Sequence, residues 1–95
     1  MYQILITKRG LKSKKKLNKE IKPKLEKEID KISKNPYKNE LLEPPFRKYG
    51  IRTAHFSFKG ISFRIAYKVY EEKKQIVILY IGPCEIFYQK LKRII

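Results

Sequence analysis

The sequence predicts an α+β protein: a small antiparallel β-sheet with an N-terminal helical hairpin packed on one face and a C-terminal helix, in the order β-α-α-β-β-β-α. Three observations predict it. Phe56 and Phe58, then Phe63, Ile65, Tyr67 and Val69, alternate with polar or small residues at the period of a half-buried strand, and a fully apolar run follows at 76–81. Earlier in the chain Leu17, Ile21, Leu25, Ile29 and Ile32 recur at spacings of four and three among charged residues, which is one stripe of a helix. Gly82-Pro83 then stops the apolar run where a closing helix can begin.

Taken in order, residues 2–7 read as a short strand with apolar side chains on both faces. Residues 8–33 are helical in pattern but contain Pro23, which inside a helix costs about 3 kcal/mol. Two helices meeting near Lys22 are therefore expected, with Pro23 in the first turn of the second and the apolar stripe facing the core. Asn35-Pro36 ends that helix, and 39–50, with Pro44-Pro45, reads as an irregular connection. Ile51 opens the strands. Lys59-Gly60 and the charged run 71–74 are short enough to be hairpin turns. The run 76–81 fits a central strand covered on both faces. A last helix is expected from Pro83 to about Arg93, capped by Gly82. The first strand can join the sheet only after a helical crossover.

The alternation also assigns faces. Arg64 lies opposite Phe63, Ile65 and Tyr67, and His55, Ser57 and Lys59 lie opposite Phe56 and Phe58. One side of the sheet is then apolar, and the other carries cations, a hydroxyl and an imidazole.

The chain has 95 residues, enough for a single domain (1–95) with one modest core. Its 24 Lys and Arg against nine acids give a formal charge of +15. Such an excess calls for an anionic partner: nucleic acid, an acidic protein or an anionic membrane surface. A Lys-rich composition serving solubility is the plain alternative. Lys12, Lys14, Lys15, Lys16 and Lys19 crowd the first helix, where an anion would relieve their repulsion. A single cysteine excludes an internal disulfide and a thiolate zinc cluster, and neither the acids nor the lone His55 show metal-ligand spacing. No metal or small-molecule cofactor is expected. There is no membrane-length apolar run and no signal-peptide pattern, so a cytoplasmic protein is expected.

The segment Phe63-Arg64-Ile65-Ala66-Tyr67, the apolar strand ending in Ile81-Gly82, and the ending Glu85-Ile86-Phe87-Tyr88-Gln89-Lys90-Leu91-Lys92-Arg93 resemble the C-terminal half of the RelE/ParE superfamily of type II toxins. The resemblance covers the whole chain in element order and about the last 35 residues in motif. It implies a metal-independent endoribonuclease that cleaves mRNA, commonly on the ribosome, and is held inactive by a cognate acidic or amphipathic antitoxin. The antitoxin's acidic segment would lie over the Arg64 face or displace the last helix.

By that resemblance the family's strand arginine falls on Arg64, its two preceding basic residues on His55 and Ser57, and its terminal aromatic on Tyr88. A basic residue after the Ile-Gly pair falls on Cys84. The implied catalytic set is His55, Arg64 and Tyr88, with Arg52, Ser57, Lys59 and Cys84 as RNA-binding positions. Ser57 and Cys84 depart from the pattern, since neither carries the charge found there in relatives; Arg52 or Lys59 could substitute only if the register shifted or the hairpin bent inward. The same superfamily includes members directed at DNA gyrase, so a non-catalytic, protein-binding module of the same fold is the second reading. A plain RNA-binding protein of the translation apparatus rests on charge alone.

Overall fold

The computed structural model describes residues 2–94, so Met1 and Ile95, the ends of the expected 1–95 domain, lie outside the described residues. Strands β1 (Gln3–Ile6), β2 (Arg52–Phe58), β3 (Ile61–Tyr70) and β4 (Gln75–Pro83) form one sheet in the order β1-β4-β3-β2. Helices α1 (Lys8–Lys15) and α2 (Lys22–Lys34) follow β1, and α3 (Cys84–Ile94) closes the described chain.

The β2–β3 hairpin turns through Lys59 (φ 51°) and Gly60 (φ 80°). Two successive left-handed residues are what a two-residue turn needs to match strand twist. Its register pairs Phe56 with Phe63 and His55 with Arg64. The β3–β4 pair is antiparallel as well, and it shifts register between Ala66 and Tyr67, so Leu79 is an extra residue on β4. The expected antiparallel core is β2, β3 and β4, and the added first strand, β1, runs parallel to β4, Gln3 facing Gln75 and Ile6 facing Ile78. The helical crossover leads from β1 into β2 running the same way, and the two hairpins that follow bring β4 back to that direction beside β1.

The apolar stripe faces the sheet as expected. Ile21, Leu25 and Ile32 are buried against Phe56, Phe63, Ile65, Ile76 and Ile78, with Leu17 and Ile29 packed at the margin. The helical hairpin is looser than its pattern. The first helix stops at Lys15, because Asn18 caps a new turn by accepting from the Glu20 amide at 3.0 Å. α2 begins at Lys22 with Pro23 in its first turn. Pro83 is not in the closing helix: it pairs with Phe63 as the last residue of β4, and α3 starts at Cys84. A proline is tolerated at a strand end, where its missing N–H breaks no ladder.

The second face of the sheet is not simply wet. Leu42 and Phe46 from the 39–50 connection and Phe87 and Leu91 from α3 bury Ile51 and Ala66 in a second core. The bulge at Leu79 lets both Leu79 and Tyr80 pack against it. What α3 leaves open on this face is the stretch holding His55, Ser57 and Arg64. Among the described residues no helix is long and apolar enough to cross a membrane.

Candidate functional site

Three elements converge on Arg64. It sits mid-strand in β3, paired with His55 on β2 and with Gly82 on β4. Directly opposed residues on one face have Cβ atoms about 4.5–5.5 Å apart, so the exposed His55 side chain starts beside that of Arg64 on the same face. From above, α3 brings Tyr88 over: its ring centroid is 5.5 Å from the Arg64 guanidinium carbon. Tyr88 is held by Phe87 edge-on at 5.4 Å and by Phe46 at 5.9 Å. Phe87 is fully buried and pins α3 to the sheet, which fixes where Tyr88 points.

One donor of Arg64 lacks an acceptor. Its Nε is buried with no hydrogen-bond partner, and among the described residues the side chain makes no salt bridge. A buried charged N–H without an acceptor is costly, so the site favours an incoming anion. A phosphate fits, because guanidinium donors match its oxygens in a planar fork.

The other sequence-derived residues divide. Ser57 is exposed, opposite Ser62 and two residues from His55 on the same face. Cys84 is a partly exposed free thiol at the start of α3, two residues beyond the Gly82 that faces Arg64. Lys59 is not brought in. It pairs with Glu20 at 2.6 Å beside the Phe58 ring, toward the helical hairpin. Arg52 is elsewhere too: it shares its strand parity with buried Ala54 and Phe56, donates to the Asn39 carbonyl at 2.7 Å and stacks on Tyr37. Strand parity already sets Arg52 on the Phe56 face, but the acceptors that hold Arg52 and Lys59 come from other elements, which the alternation does not show.

One neighbour was missed by the sequence reading. A Cβ on Gly82 would meet the Tyr80 hydroxyl and ring at 2.8 Å, so the Tyr80 phenol lies over Gly82, the position facing Arg64. Its ring also packs on Phe87 at 5.7 Å, and burial pushes its pKa up. The available signal was a glycine two residues after a tyrosine inside an apolar strand. Among the described residues, no group of three or more His, Cys, Asp or Glu could hold a metal ion.

A four-stranded sheet backed by a helical hairpin, with a closing helix laid over an unpaired strand arginine, defines a small α+β fold of the RelE-like toxin class. Solved structures agree. The chain is similar to the isolated Escherichia coli RelE toxin, with 23% identity over all of both chains and a TM-score of 0.70. It is also similar to a chain of the RelBE2 toxin–antitoxin complex of Mycobacterium tuberculosis, with 21% identity over 86% of this chain and 96% of that one and a TM-score of 0.71. A mutant E. coli RelE in complex with an antitoxin RelB peptide matches at 23% identity over 99% of this chain and 98% of that one, with a TM-score of 0.70. Identities this low establish a shared fold. The sequence itself matches the ParE-like toxins of type II bacterial toxin–antitoxin systems over residues 4–92, and the chain belongs to that family. No curated protein sequence matches it significantly.

Proposed function

We propose that this type II toxin is an endoribonuclease that cleaves mRNA, on the ribosome, in the cytosol, as one domain spanning the chain. Arg64 carries the reading: a half-buried guanidinium with an orphaned Nε, next in register to an imidazole and beneath a tyrosine. In the reaction a base takes the proton of a ribose 2′-hydroxyl, and the oxygen attacks the adjacent phosphorus. The P–O5′ bond breaks, and the departing oxygen gains a proton. Arg64 holds the phosphate and neutralises the charge that develops on it. His55 and Tyr88 handle the two protons, one at each end of the displacement. RelE-like toxins in complexes with RelB antitoxins support a cognate antitoxin as the partner here.

The test is single-turnover cleavage of mRNA on programmed ribosomes, without added metal. Wild type should yield a 2′,3′-cyclic phosphate and a 5′-hydroxyl. Arg64→Ala should slow cleavage about 10²–10³-fold with the fold intact, as loss of one transition-state donor does. Cys84→Arg should speed it by adding a cation at the start of α3.

A second reading has its own observation. With Lys59 bound to Glu20 and Arg52 bound to Asn39, two of the cations that the resemblance offers for RNA are drawn away from Arg64. That favours a protein-binding toxin of the same fold, directed at a target such as DNA gyrase. A wild type that cleaves nothing, together with an inert Cys84→Arg, would decide for it.

A further inference from the structure

Beside Arg64 stands a hydroxyl that the fold itself does not use. Tyr80 is opposite Ala66 across the β3–β4 pair, and Gly82, two residues on, lies on the same face. The extra residue at Leu79 sets this parity. Ile78 and Ile81 both enter the core behind the sheet, while Tyr80 packs on the α3 side. Ala66 offers only a methyl group and Gly82 nothing, so the phenol has a trough to lie in along β4. α3 closes that trough with Phe87, whose ring is 5.7 Å from the Tyr80 ring.

The trough ends at Arg64. Gly82 is the cross-strand partner of Arg64 on β4, as His55 is on β2. Opposed residues on one face have Cβ atoms about 4.5–5.5 Å apart. A Cβ at Gly82 would stand 2.8 Å from the Tyr80 hydroxyl oxygen. The hydroxyl end of Tyr80 thus takes the place that a side chain at 82 would fill. Arg64 has His55 on one side, the Tyr80 phenol on the other and the Tyr88 ring above.

Tyr67, the buried tyrosine of the opposite face, shows what a structural phenol looks like. It donates to the Pro36 carbonyl at 2.6 Å and accepts from the Asn39 amide at 3.1 Å. Tyr80 has no such partner among the described residues: burial alone pushes its pKa up, with no hydrogen-bonding group contributing. Nor is its oxygen sealed away. Among the described residues, the one buried side-chain nitrogen or oxygen without a partner is Arg64 Nε, so the Tyr80 oxygen reaches solvent. At neutral pH the phenol keeps its proton and is a donor, not a base.

We infer that the Tyr80 hydroxyl is a substrate-contacting group of the Arg64 site, donating from the β4 side to an oxygen of the RNA phosphodiester that Arg64 grips. Two donors without protein partners, one charged and one neutral, then meet one phosphate from adjacent strands. A hydrogen bond from a hydroxyl to a charged phosphate is stronger than one between neutral groups. The inference rests on the ribonuclease reading for the identity of that phosphate. If Tyr80 merely filled space beneath α3, phenylalanine would serve as well.

The probes are 2′-O-methyl homotrinucleotides of each base, which carry the phosphodiester and lack the attacking hydroxyl. Binding is read by two-dimensional NMR, following the Arg64 Nε–H and the Cζ of isotope-labelled tyrosines. In wild type at least one probe should shift the Arg64 Nε–H and the Tyr80 Cζ together. Tyr80→Phe keeps the ring against Phe87 and should leave the urea midpoint unchanged. It should weaken binding about tenfold, as loss of one hydrogen bond to a charged group does. Its kcat/KM for cleavage on programmed ribosomes should fall by at least that factor. Gly82→Ala keeps the hydroxyl but puts a methyl where it lies, and the obstacle is the far end of a side chain that can swing aside. It should weaken binding as Tyr80→Phe does, and the double variant should bind no more weakly than either alone. Tyr70→Phe, at the exposed far end of β3, should bind as wild type.

Wild-type affinity in Tyr80→Phe, additive losses in the double variant, a Tyr80 Cζ that stays still while the Arg64 Nε–H moves, or no binding of any probe would each overturn the inference. So would a binding loss in Tyr80→Phe accompanied by a lower urea midpoint, which would make the hydroxyl structural. A wild type that binds the probe through Tyr80 and cleaves nothing would overturn the ribonuclease reading and leave the phosphate contact standing. A wild type that cleaves, with Tyr80→Phe as fast and as tight, would do the reverse.

Discussion

Arg64 is the residue whose surroundings are hardest to explain as structure alone. The lysines of the helical hairpin are solvated or paired, as Lys14 is with Glu26 and Lys34 with Asp30. Arg64 instead keeps a buried Nε without a partner and an aromatic ring over its charge. A cation over a tyrosine face gains about 0.5–2 kcal/mol, enough to orient the guanidinium but not to replace a missing acceptor. Tyr88 thus has two separable contributions, its ring and its hydroxyl. Tyr88→Phe keeps the ring against Arg64, Phe46 and Phe87 and removes only the hydroxyl. If that hydroxyl moves a proton, kcat should fall about 10²–10⁴-fold with KM nearly unchanged. Tyr88→Leu removes the ring as well and should raise KM in addition. Steady-state cleavage of an mRNA substrate by the two variants separates the contributions. A Tyr88→Phe enzyme as fast as wild type would assign Tyr88 to positioning and leave the protons to His55.

At the scale of elements, α1 does the work of a strand. Thr7 caps it by accepting from the Gly10 amide at 3.0 Å, and Gly10 lies where the helix comes closest to β4. A Cβ at Gly10 would stand 2.8 Å from the Ile78 carbonyl oxygen and 2.9 Å from an Ile6 carbon. In an open helix, alanine in place of glycine gains about 1 kcal/mol. Here the sign should reverse, because the obstacle is backbone: Gly10→Ala should destabilise by about 1–3 kcal/mol. Ser13 supports the same contact, donating to the Gly10 carbonyl at 2.6 Å while accepting from the Ile81 amide. Ser13→Ala strands that buried amide and should cost about 1–3 kcal/mol. Urea unfolding of both variants measures the effect, and a midpoint at or above wild type for either would show that α1 can move off the edge.

For the whole molecule, Glu71 ties distant parts of the chain together. Its carboxylate accepts from the Tyr2 hydroxyl at 2.7 Å, the Tyr37 hydroxyl at 3.1 Å and the Lys74 ammonium at 2.6 Å. The start of the described chain, the turn after α2 and the β3–β4 turn meet there. The Lys74 hydrogen bond, then the one from Tyr2, hold Glu71 below the usual carboxylate range. A carboxylate whose pKa is lowered by folding stabilises the fold above its unfolded value, and that contribution disappears as pH falls through the lowered folded value. Wild type should therefore be more stable than Glu71→Gln at neutral pH, and the difference should vanish on acidification through and below the ordinary carboxylate range. The contribution is small because the cluster is exposed and screened. Urea midpoints of both proteins across an acid pH series test it; a difference that stays constant with pH would contradict it.

Legibility follows the range of the physics involved. Strand period, helical stripe, turn residues and the break at Pro23 are local, and each was readable from a few neighbouring residues. The same local alternation put His55 and Arg64 on one face, and the short Lys59-Gly60 turn fits the register that pairs them. Periodicity names a face, however, without saying what will come to lie on it. That α3 and the 39–50 connection build a second core over half of the polar face depended on where those segments return in space. The direction of β1 was decided the same way, by the crossover that brings it beside β4. Long cationic side chains are the least local of all: Lys59 finds Glu20 and Arg52 finds the Asn39 carbonyl, partners 39 and 13 residues away in the chain. The orphaned Nε of Arg64 beneath the Tyr88 ring belongs to the same category, since it is set by packing between β3 and α3 that no stretch of sequence contains by itself.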